Sequence, residues 1–247
     1  MIRSLSIIKK TWFSKNTFGL EFSLPGIKPR PGQFFQVRVN DSMDPFLNRP
    51  ISIASYSGNR LLLIIKIIGK GTNILSKRRE REQVTLFGPY GKGIVPKRQK
   101  SILLAGGIGV APLHFLAQMH YKRKIPFTFL YGAKTYDEII LKASIKHMAN
   151  RSIFVTEYGS GRRGTVVSAV KGMDLSDYAI VYACGPQAML IALQQLHLPL
   201  PVYAFCEDFL GCGCGLCLGC AIMYNGTYKR ICEDGPVFEL ERIHFEN

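Results

Sequence analysis

The cysteines constrain this chain more than any other feature, because six of the seven lie within residues 206–232. Such crowding favours a metal ion or a metal cluster over disulfides, and the odd total agrees with this interpretation. Cys212, Cys217 and Cys220 have the spacing C-x4-C-x2-C, and Cys232 follows after eleven further residues. This is the plant-type pattern for a [2Fe-2S] cluster, so the sequence predicts these four thiolates as metal ligands.

Glycines surround these cysteines and favour the [2Fe-2S] cluster over two alternatives. A glycine-rich loop lets backbone N–H groups approach a cluster closely, and this segment supplies Gly211, Gly213, Gly215 and Gly219. A [4Fe-4S] run beginning at Cys214 fails, because Tyr224 stands at the position of its fourth cysteine. A structural zinc ion held by Cys214, Cys217 and two other cysteines stays open. Cys206 and Cys214 are otherwise expected to be free thiols.

Residues 1–96 have the pattern of an antiparallel β-barrel or sandwich. Short apolar runs are separated by turn residues, which is typical of such folds. The predicted strands are 18–24, 33–39, 51–54, 61–68 and 83–87. One helix is expected after Gly71.

The rhythm changes in residues 97–201, where apolar strands alternate with segments of helix length. The predicted strands are 102–105, 127–131, 152–156 and 179–183, and the predicted helices are 111–121, 137–148, 166–170 and 186–195. This alternation predicts a Rossmann-like α/β domain, a parallel sheet with helices on both faces. Pro199 and Pro201 end this domain, which leaves residues 202–247 as a small cluster-bearing domain and makes the chain multidomain.

The net charge of +15 is concentrated in the first domain. Residues 1–100 carry 19 Lys and Arg against 5 Asp and Glu, whereas residues 101–247 carry 13 against 12. This excess suits an acidic partner surface, phosphate-bearing cofactors or nucleic acid, so a zinc-containing nucleic-acid-binding protein is a remote alternative.

The 47% apolar content excludes disorder. Without a long apolar run or a signal sequence, we expect a cytoplasmic protein with no membrane contact.

Three glycine- or arginine-containing motifs are suited to phosphate groups. Arg49 opens the segment Arg49-Pro50-Ile51-Ser52, and its guanidinium can pair with a diphosphate through several donors. Gly69-Lys70-Gly71-Thr72 precedes the predicted helix, where backbone N–H groups favour an anion. Residues 103–112 form a strand, a glycine-rich turn and a helix, which is the context of a dinucleotide pyrophosphate. Pro112 stands where the third glycine of that fingerprint belongs.

The order of these motifs, with Ala183-Cys184-Gly185-Pro186 closing a late strand, resembles the ferredoxin-reductase superfamily. With the C-terminal CGCGLCLGC and YKRICEDGPVF, the chain resembles the electron-transfer subunits of class B dihydroorotate dehydrogenases over nearly its whole length. The resemblance implies an FAD-binding barrel at residues 1–96, an NAD-binding domain at 97–201 and a [2Fe-2S] domain at 202–247.

The same resemblance assigns the cofactor contacts. The flavin side comprises Arg49, Pro50, Ile51, Ser52, Ile64, Ile65, Lys66, Gly71 and Thr72. The nicotinamide nucleotide side comprises Gly106, Gly107, Gly109, Pro112, Cys184, Gly185 and Pro186. Tyr158 stands where the resemblance leads us to expect a second acid after Glu157, and Arg162 and Arg163 suit a 2′-phosphate. The choice between NAD⁺ and NADP⁺ is therefore open.

The implied activity is electron relay without an acid–base catalytic residue. FAD is the necessary converter between a one-electron cluster and a two-electron nicotinamide. The family passes electrons from the FMN of a separate catalytic subunit through the [2Fe-2S] cluster and FAD to NAD⁺, in pyrimidine (UMP) biosynthesis. We therefore expect that subunit and NAD as partners. The nearest alternative is the small flavin and iron–sulfur subunit of another complex, such as a ferredoxin-NADP⁺ oxidoreductase or a sulfhydrogenase.

Overall fold

A computed structural model describes residues 1–245, and its first part is a six-stranded barrel. The strands are β1 (Ile2–Ser14), β2 (Thr17–Ser23), β3 (Phe34–Val37), β4 (Arg49–Ser57), β5 (Arg60–Lys66) and β6 (Gln83–Tyr90), and helix α1 (Lys70–Ser76) lies between β5 and β6. The barrel closes in the order β1-β2-β5-β4-β3-β6, and every pair is antiparallel. The predicted antiparallel barrel is confirmed.

Large apolar side chains fill the barrel. Phe18 and Leu20 on β2 and Leu61 and Leu63 on β5 are fully buried, and the two strands pair along their whole lengths. The sequence pattern missed β1, because only Ile7 of this strand is buried and charged residues occupy many of its other positions.

The second part is a sheet of parallel strands covered by helices. The elements are β7 (Ser101–Gly106), α2 (Val110–Lys122), β8 (Phe127–Ala133), α3 (Lys142–Met148), β9 (Arg151–Thr156), α4 (Val166–Lys171), β10 (Ile180–Cys184), α5 (Gln187–Gln194) and β11 (Val202–Phe205). The strands lie in the order β11-β10-β7-β8-β9, which confirms the Rossmann-like prediction. Helix α3 is shorter than predicted, because Leu141 has a left-handed backbone (φ +57°) directly before it.

The remaining elements are β12 (Ala221–Tyr224), β13 (Thr227–Arg230), α6 (Ile231–Asp234), β14 (Val237–Glu239) and β15 (Ile243–His244). Strand β14 pairs antiparallel with β11 and completes the six-stranded sheet, which therefore spans the boundary predicted after residue 201. Strands β13-β12-β15 form a separate small sheet. Glu246 and Asn247, the end of the third predicted domain, lie outside the described residues.

Residues 206–236, here named the cluster segment, connect β11 to β14. Phe205 at the end of β11 pairs with Val237 at the start of β14. The cluster segment therefore leaves and re-enters the sheet at its carboxyl edge. The turns that follow β7 and β10 lie at the same edge, because all these strands are parallel.

The barrel and the sheet share a hydrophobic core. Ala54 on β4 and Ile64 on β5 pack with Leu103 and Leu113 of the α/β part. His114 on α2 joins the same elements, since its ring nitrogens lie 2.8 Å from the carbonyl oxygen of Ala54 and 2.8 Å from the hydroxyl of Ser144. Within residues 1–245, no helix is long and apolar enough to cross a membrane.

Candidate functional site

A cleft of about 870 Å³ lies along the carboxyl edge of the sheet. Its lining includes the turn at residues 106–109, residues after β8 and β10, and the start of the cluster segment. Ligands of open α/β sheets bind at this edge. Of the predicted nucleotide contacts, the cleft brings together Gly106, Gly107, Gly109, Gly185 and Pro186.

Two predicted nucleotide contacts lie behind the cleft wall. Cys184 is fully buried at the end of β10. Pro112 is buried in the first turn of α2. Backbone N–H groups in the first turn have no acceptor within the helix, so the N–H that proline lacks costs no hydrogen bond there. Pro112 therefore supports the turn and does not face the cleft.

The glycines at this edge let two neighbouring turns pack in contact. A Cβ atom added to Gly109 would lie 2.3 Å from the carbonyl oxygen of Cys184, and one added to Gly185 would lie 2.5 Å from Cε of Met189. Gly107 has φ +54°, a conformation that side chains disfavour, and nothing lies within 4 Å of its Cβ position. Gly107 thus leaves open space at the turn, as an approaching phosphate requires.

Cys184 and Glu207 face each other across the edge between β10 and the cluster segment. The Cys184 thiol lies 3.9 Å from Oε1 of Glu207. The Glu207 carboxyl is reached by solvent in the cleft, yet protein surrounds it, and this desolvation raises its pKa. Burial, together with the charge of Glu207, also raises the pKa of Cys184. Each of these shifts favours the protonated form of its group relative to an exposed side chain.

On the barrel side, Arg49 lies against the first turn of α1. A Cβ atom added to Gly71 would lie 2.5 Å from Nε of Arg49, so glycine makes room for the guanidinium. Arg49 Nη1 donates to the carbonyl oxygens of Leu47 and Asn48, the latter at 3.3 Å. This cradle of guanidinium and helix start, which a side chain at position 71 would fill, fits a diphosphate.

The Thr72 hydroxyl is committed to the turn before α1. It accepts hydrogen bonds from the N–H groups of Ile68 at 3.0 Å and Gly69 at 3.2 Å. The side chain of Thr72 therefore caps the start of α1. The predicted contact of Thr72 with the diphosphate falls to its backbone.

The strand residues predicted to face a flavin fall into two groups. Pro50, Ile51 and Ser52 on β4 are half-buried. Ile64 and Ile65 on β5 are 3% and 1% exposed and belong to the two cores, so only their backbone is available to a ligand. Nζ of Lys66 pairs with Oε2 of Glu138 at 2.9 Å, across the junction between the barrel and the α/β part.

The four predicted cluster ligands lie together on the cluster segment. The sulfurs of Cys220 and Cys232 are 3.3 Å apart, and both residues are buried. The Cys212 sulfur accepts hydrogen bonds from the backbone N–H of Cys217 at 3.4 Å and from that of Cys214 at 3.5 Å. The thiols of Cys220 and Cys232 therefore form a pair, and the backbone of Cys217 lies against the Cys212 sulfur.

Backbone donors favour the thiolate form of Cys212. Burial raises its pKa, but the hydrogen bonds from the Cys214 and Cys217 backbone outweigh burial and lower the pKa to about 6. A thiol that ionises this readily is suited to be a metal ligand. Among residues 1–245, no three His, Cys, Asp or Glu side chains are gathered closely enough to hold a metal ion.

The remaining thiols lie beside this group. Cys214 is exposed and next to Cys212, and Cys206 is buried. Gly211 and Gly219 flank Cys217, since Cβ atoms added to them would lie 3.3 Å and 3.7 Å from its sulfur.

Several charged cleft residues were not among the predicted contacts. They are Lys134, Glu138, Glu157, Glu207 and Asp208. Each lies one to five residues after the end of a parallel strand. A position just after a predicted parallel strand is therefore the sequence signal that could have identified these residues.

Comparisons with known proteins agree with this architecture. Residues 207–244 match the family model described as the iron-sulfur cluster binding domain of dihydroorotate dehydrogenase B. Residues 103–195 match the oxidoreductase NAD-binding domain. A structure of an NADH-dependent reduced ferredoxin-NADP oxidoreductase superposes with a TM-score of 0.88 and 24% identity, covering 97% of this chain and 89% of the other. A ferredoxin NADP⁺ reductase from Neisseria gonorrhoeae, solved with FAD and NADP, gives 0.69 at 16% identity, covering 84% and 94%.

The barrel, the nucleotide-binding sheet and the cysteine segment define an iron–sulfur oxidoreductase with a ferredoxin-reductase-like fold. Two relatives are more specific. The dihydroorotate dehydrogenase B (NAD(+)) electron transfer subunit of Desulforamulus reducens is 37% identical over 94% of both chains. That of Geobacillus thermodenitrificans is 31% identical over 97% of both. The chain belongs to the family of dihydroorotate dehydrogenase B electron transfer subunits, as its motifs predicted.

The family models also confirm two cofactor predictions. An iron–sulfur cluster and a nicotinamide nucleotide are the groups that these two domains are described as binding. The FAD prediction agrees with the ferredoxin-reductase fold, which this chain shares with a structure that contains FAD. The individual contact residues remain predictions.

Proposed function

We propose that this chain transfers electrons between an FMN-containing dihydroorotate dehydrogenase subunit and NAD⁺, in pyrimidine biosynthesis. One observation carries the proposal: the cluster segment and the nucleotide turns meet at the carboxyl edge of the sheet, and Lys66 at the end of β5 lines the same cleft. Electron transfer between cofactors requires such proximity. The names of the relatives favour dihydroorotate oxidation over other NAD(P)H-dependent complexes.

In this proposal, residues 1–96 bind FAD through the cradle of Arg49 and Gly71. The guanidinium supplies positive charge to the diphosphate, and the glycine at position 71 leaves room for that guanidinium against the start of α1. When bound, the flavin supplies hydride exchange with nicotinamide and single-electron exchange with an iron–sulfur cluster. The half-buried Ser52 on β4 lies on the strand that faces the junction with the nucleotide part.

Residues 97–201 hold the nicotinamide nucleotide over the turns after β7 and β10. Gly107 and Gly185 keep these turns free of side chains that would block the diphosphate. Glu207 lines the cleft from the cluster segment, and its Oε1 lies 3.9 Å from the buried thiol of Cys184.

Residues 202–247 hold the cluster through Cys212, Cys217, Cys220 and Cys232 and present it to the partner subunit. Three large apolar side chains stand exposed around these ligands: Phe209 is 93% exposed, Leu216 83% and Leu218 63%. Exposed apolar groups of this size mark protein interfaces. The loop around the cluster is therefore the docking face for the catalytic subunit.

Reconstitution tests the function. The chain is co-purified with an FMN-containing dihydroorotate dehydrogenase subunit, and NADH formation from dihydroorotate and NAD⁺ is followed. We expect NADH formation only when both proteins are present, because the catalytic subunit lacks a nicotinamide site of its own in this proposal. This chain alone should reduce an artificial one-electron acceptor with NADH. NADH formation by the catalytic subunit alone, or none by the complex, would contradict the proposal.

A further inference from the structure

We infer that Arg230 is a positioning residue for electron transfer, which holds the cysteine loop against the Cys232 sulfur and raises the reduction potential of the cluster bound there. The inference rests on the proposed function, with Cys232 as a ligand, and it gives a role to a residue that the motifs left unassigned. Arg230 ends β13 directly before α6 and stands two residues before Cys232. Its side chain is 35% exposed, so protein covers most of it.

A single residue, Gly215, connects the guanidinium with the sulfur of Cys232. Nη1 of Arg230 donates a hydrogen bond to the Gly215 carbonyl oxygen at 2.9 Å. The N–H of the same glycine donates to Sγ of Cys232 at 3.1 Å. Gly215 has φ +85°, a conformation that few side chains adopt, and the bond from Arg230 helps to hold it there. Arg230 therefore fixes a backbone donor to one predicted cluster ligand.

Two carboxylates of α6 hold the guanidinium in place. Oε2 of Glu233 lies 2.6 Å from Nη2 of Arg230, and Oδ2 of Asp234 lies 3.9 Å from Nε. Oδ2 of Asp234 also accepts a hydrogen bond from the Arg230 backbone N–H at 2.9 Å. The other oxygen of Asp234 lies 3.7 Å from Nζ of Lys92, in the segment that follows β6. These charges therefore form a network that joins the barrel to the cysteine loop through Arg230.

The direction of the effect on the potential follows from these charges. Hydrogen bonds to the sulfurs and the net charge nearby are among the factors that set the potential of an iron–sulfur cluster. A cation beside the thiolates stabilises the reduced form, because that form carries one more negative charge. Without the guanidinium, Glu233 and Asp234 would remain beside the loop without their partner. Both changes favour the oxidised form and so lower the potential, which disfavours electron transfer from the catalytic subunit.

The potential of the cluster in the cofactor-loaded chain tests this assignment. Electron paramagnetic resonance follows the reduced cluster during a redox titration, and iron per chain is measured beside it. At a fixed solution potential, the ratio of reduced to oxidised cluster should fall at least about threefold in Arg230→Gln. The ratio should rise in Glu233→Gln, which removes a negative charge and leaves the guanidinium in place. Shifts of opposite sign distinguish the placement of charge from a general loosening of the loop, which would act in one direction.

The ion pair of Arg242 and Glu239 supplies the matched control. Its members are also three residues apart, and Nε of Arg242 lies 2.8 Å from Oε2 of Glu239, but both residues lie outside the cluster segment. Arg242→Gln should therefore leave the potential unaltered, and an equal shift in this variant would count against a specific role for Arg230.

The outcomes separate this inference from the proposed function. An unaltered potential in Arg230→Gln with iron retained, or a shift of the same sign in Glu233→Gln, would overturn the assignment. If Arg230→Gln lost its iron, the sign of the shift in Glu233→Gln would decide. Absence of an iron–sulfur cluster from the unaltered chain would instead contradict the proposed function, and the role of Arg230 with it.

Discussion

Nε2 of Gln36 on β3 donates a hydrogen bond to the carbonyl oxygen of Leu210 in the cluster segment, at 3.1 Å. Gln36 is 1% exposed, so this bond is shielded from water. It joins the barrel directly to the loop that carries the cysteines. This hydrogen bond therefore helps to fix the distance between the flavin side and the cluster side, between which electrons are transferred.

The contact between Gln36 and the loop predicts a specific effect at Gly213. A Cβ atom there would lie 2.8 Å from Cγ of Gln36, and the residue has φ +75°. Gly213→Ala should cost about 1–3 kcal/mol in loop stability through overpacking, and bound iron per chain should fall. Gly226→Ala is the matched control, because Gly226 has φ +77° but nothing within 4 Å of its Cβ position. Equal iron loss in both variants would contradict a role for the contact with Gln36.

The ligand set is tested by single Cys→Ser changes with iron and visible absorption as readouts. Cys217→Ser and Cys212→Ser should each lower bound iron sharply, because each removes one predicted ligand. Cys214→Ser should retain iron, although Cys214 lies next to Cys212. Iron loss in Cys214→Ser together with iron retention in Cys212→Ser would show that the ligands are assigned wrongly.

Flavin binding is tested at Arg49. Charge-assisted hydrogen bonds contribute about 1.5–3 kcal/mol each, so Arg49→Ala should weaken FAD binding by roughly 10- to 100-fold. Arg60→Ala removes an equal charge from the same barrel at an exposed position, where its weak pairing with Glu21 spans 4.0 Å. Equilibrium dialysis of FAD compares the two. An unaltered FAD affinity in Arg49→Ala would remove this residue from the site.

The sequence predicted most of the α/β part because parallel strands are buried on both faces and read as apolar runs. It missed β1, in which only Ile7 is buried and serines and lysines interrupt the apolar residues. The boundary after Pro201 divides a sheet, because β11 pairs with β10 across it. Strand β14 then joins β11 by pairing across more than thirty residues, which no local pattern records. Glu207 and Glu157 line one cleft because the tertiary structure brings the ends of separate strands together, and no local sequence pattern records this. The spacing of the cysteines, in contrast, is a local pattern that the sequence shows directly.

The buried His114 predicts how stability depends on pH. Burial lowers its pKa below the usual value, outweighing the bond to the Ala54 carbonyl oxygen. Below about pH 6.5 the unfolded chain binds a proton at this residue while the folded chain does not, so stability falls as pH falls, by up to about 1.4 kcal/mol per pH unit. His114→Asn cannot titrate. Its unfolding free energy, measured in urea from pH 7.5 to 5.5, should fall less steeply than that of the unaltered chain, and parallel curves would contradict this.

The docking face around the cluster is tested at Leu218, an exposed residue between two predicted ligands. Leu218→Glu places a charge on an apolar contact, and burying it without a partner is costly. We expect loss of complex formation with the catalytic subunit and of dihydroorotate-dependent NADH formation, with iron and FAD content retained. Tyr121→Glu is the control, because Tyr121 is 47% exposed near the end of α2, at the opposite edge of the sheet. If Leu218→Glu still formed an active complex, the catalytic subunit would dock elsewhere, and the strongly basic barrel would be the next surface to test.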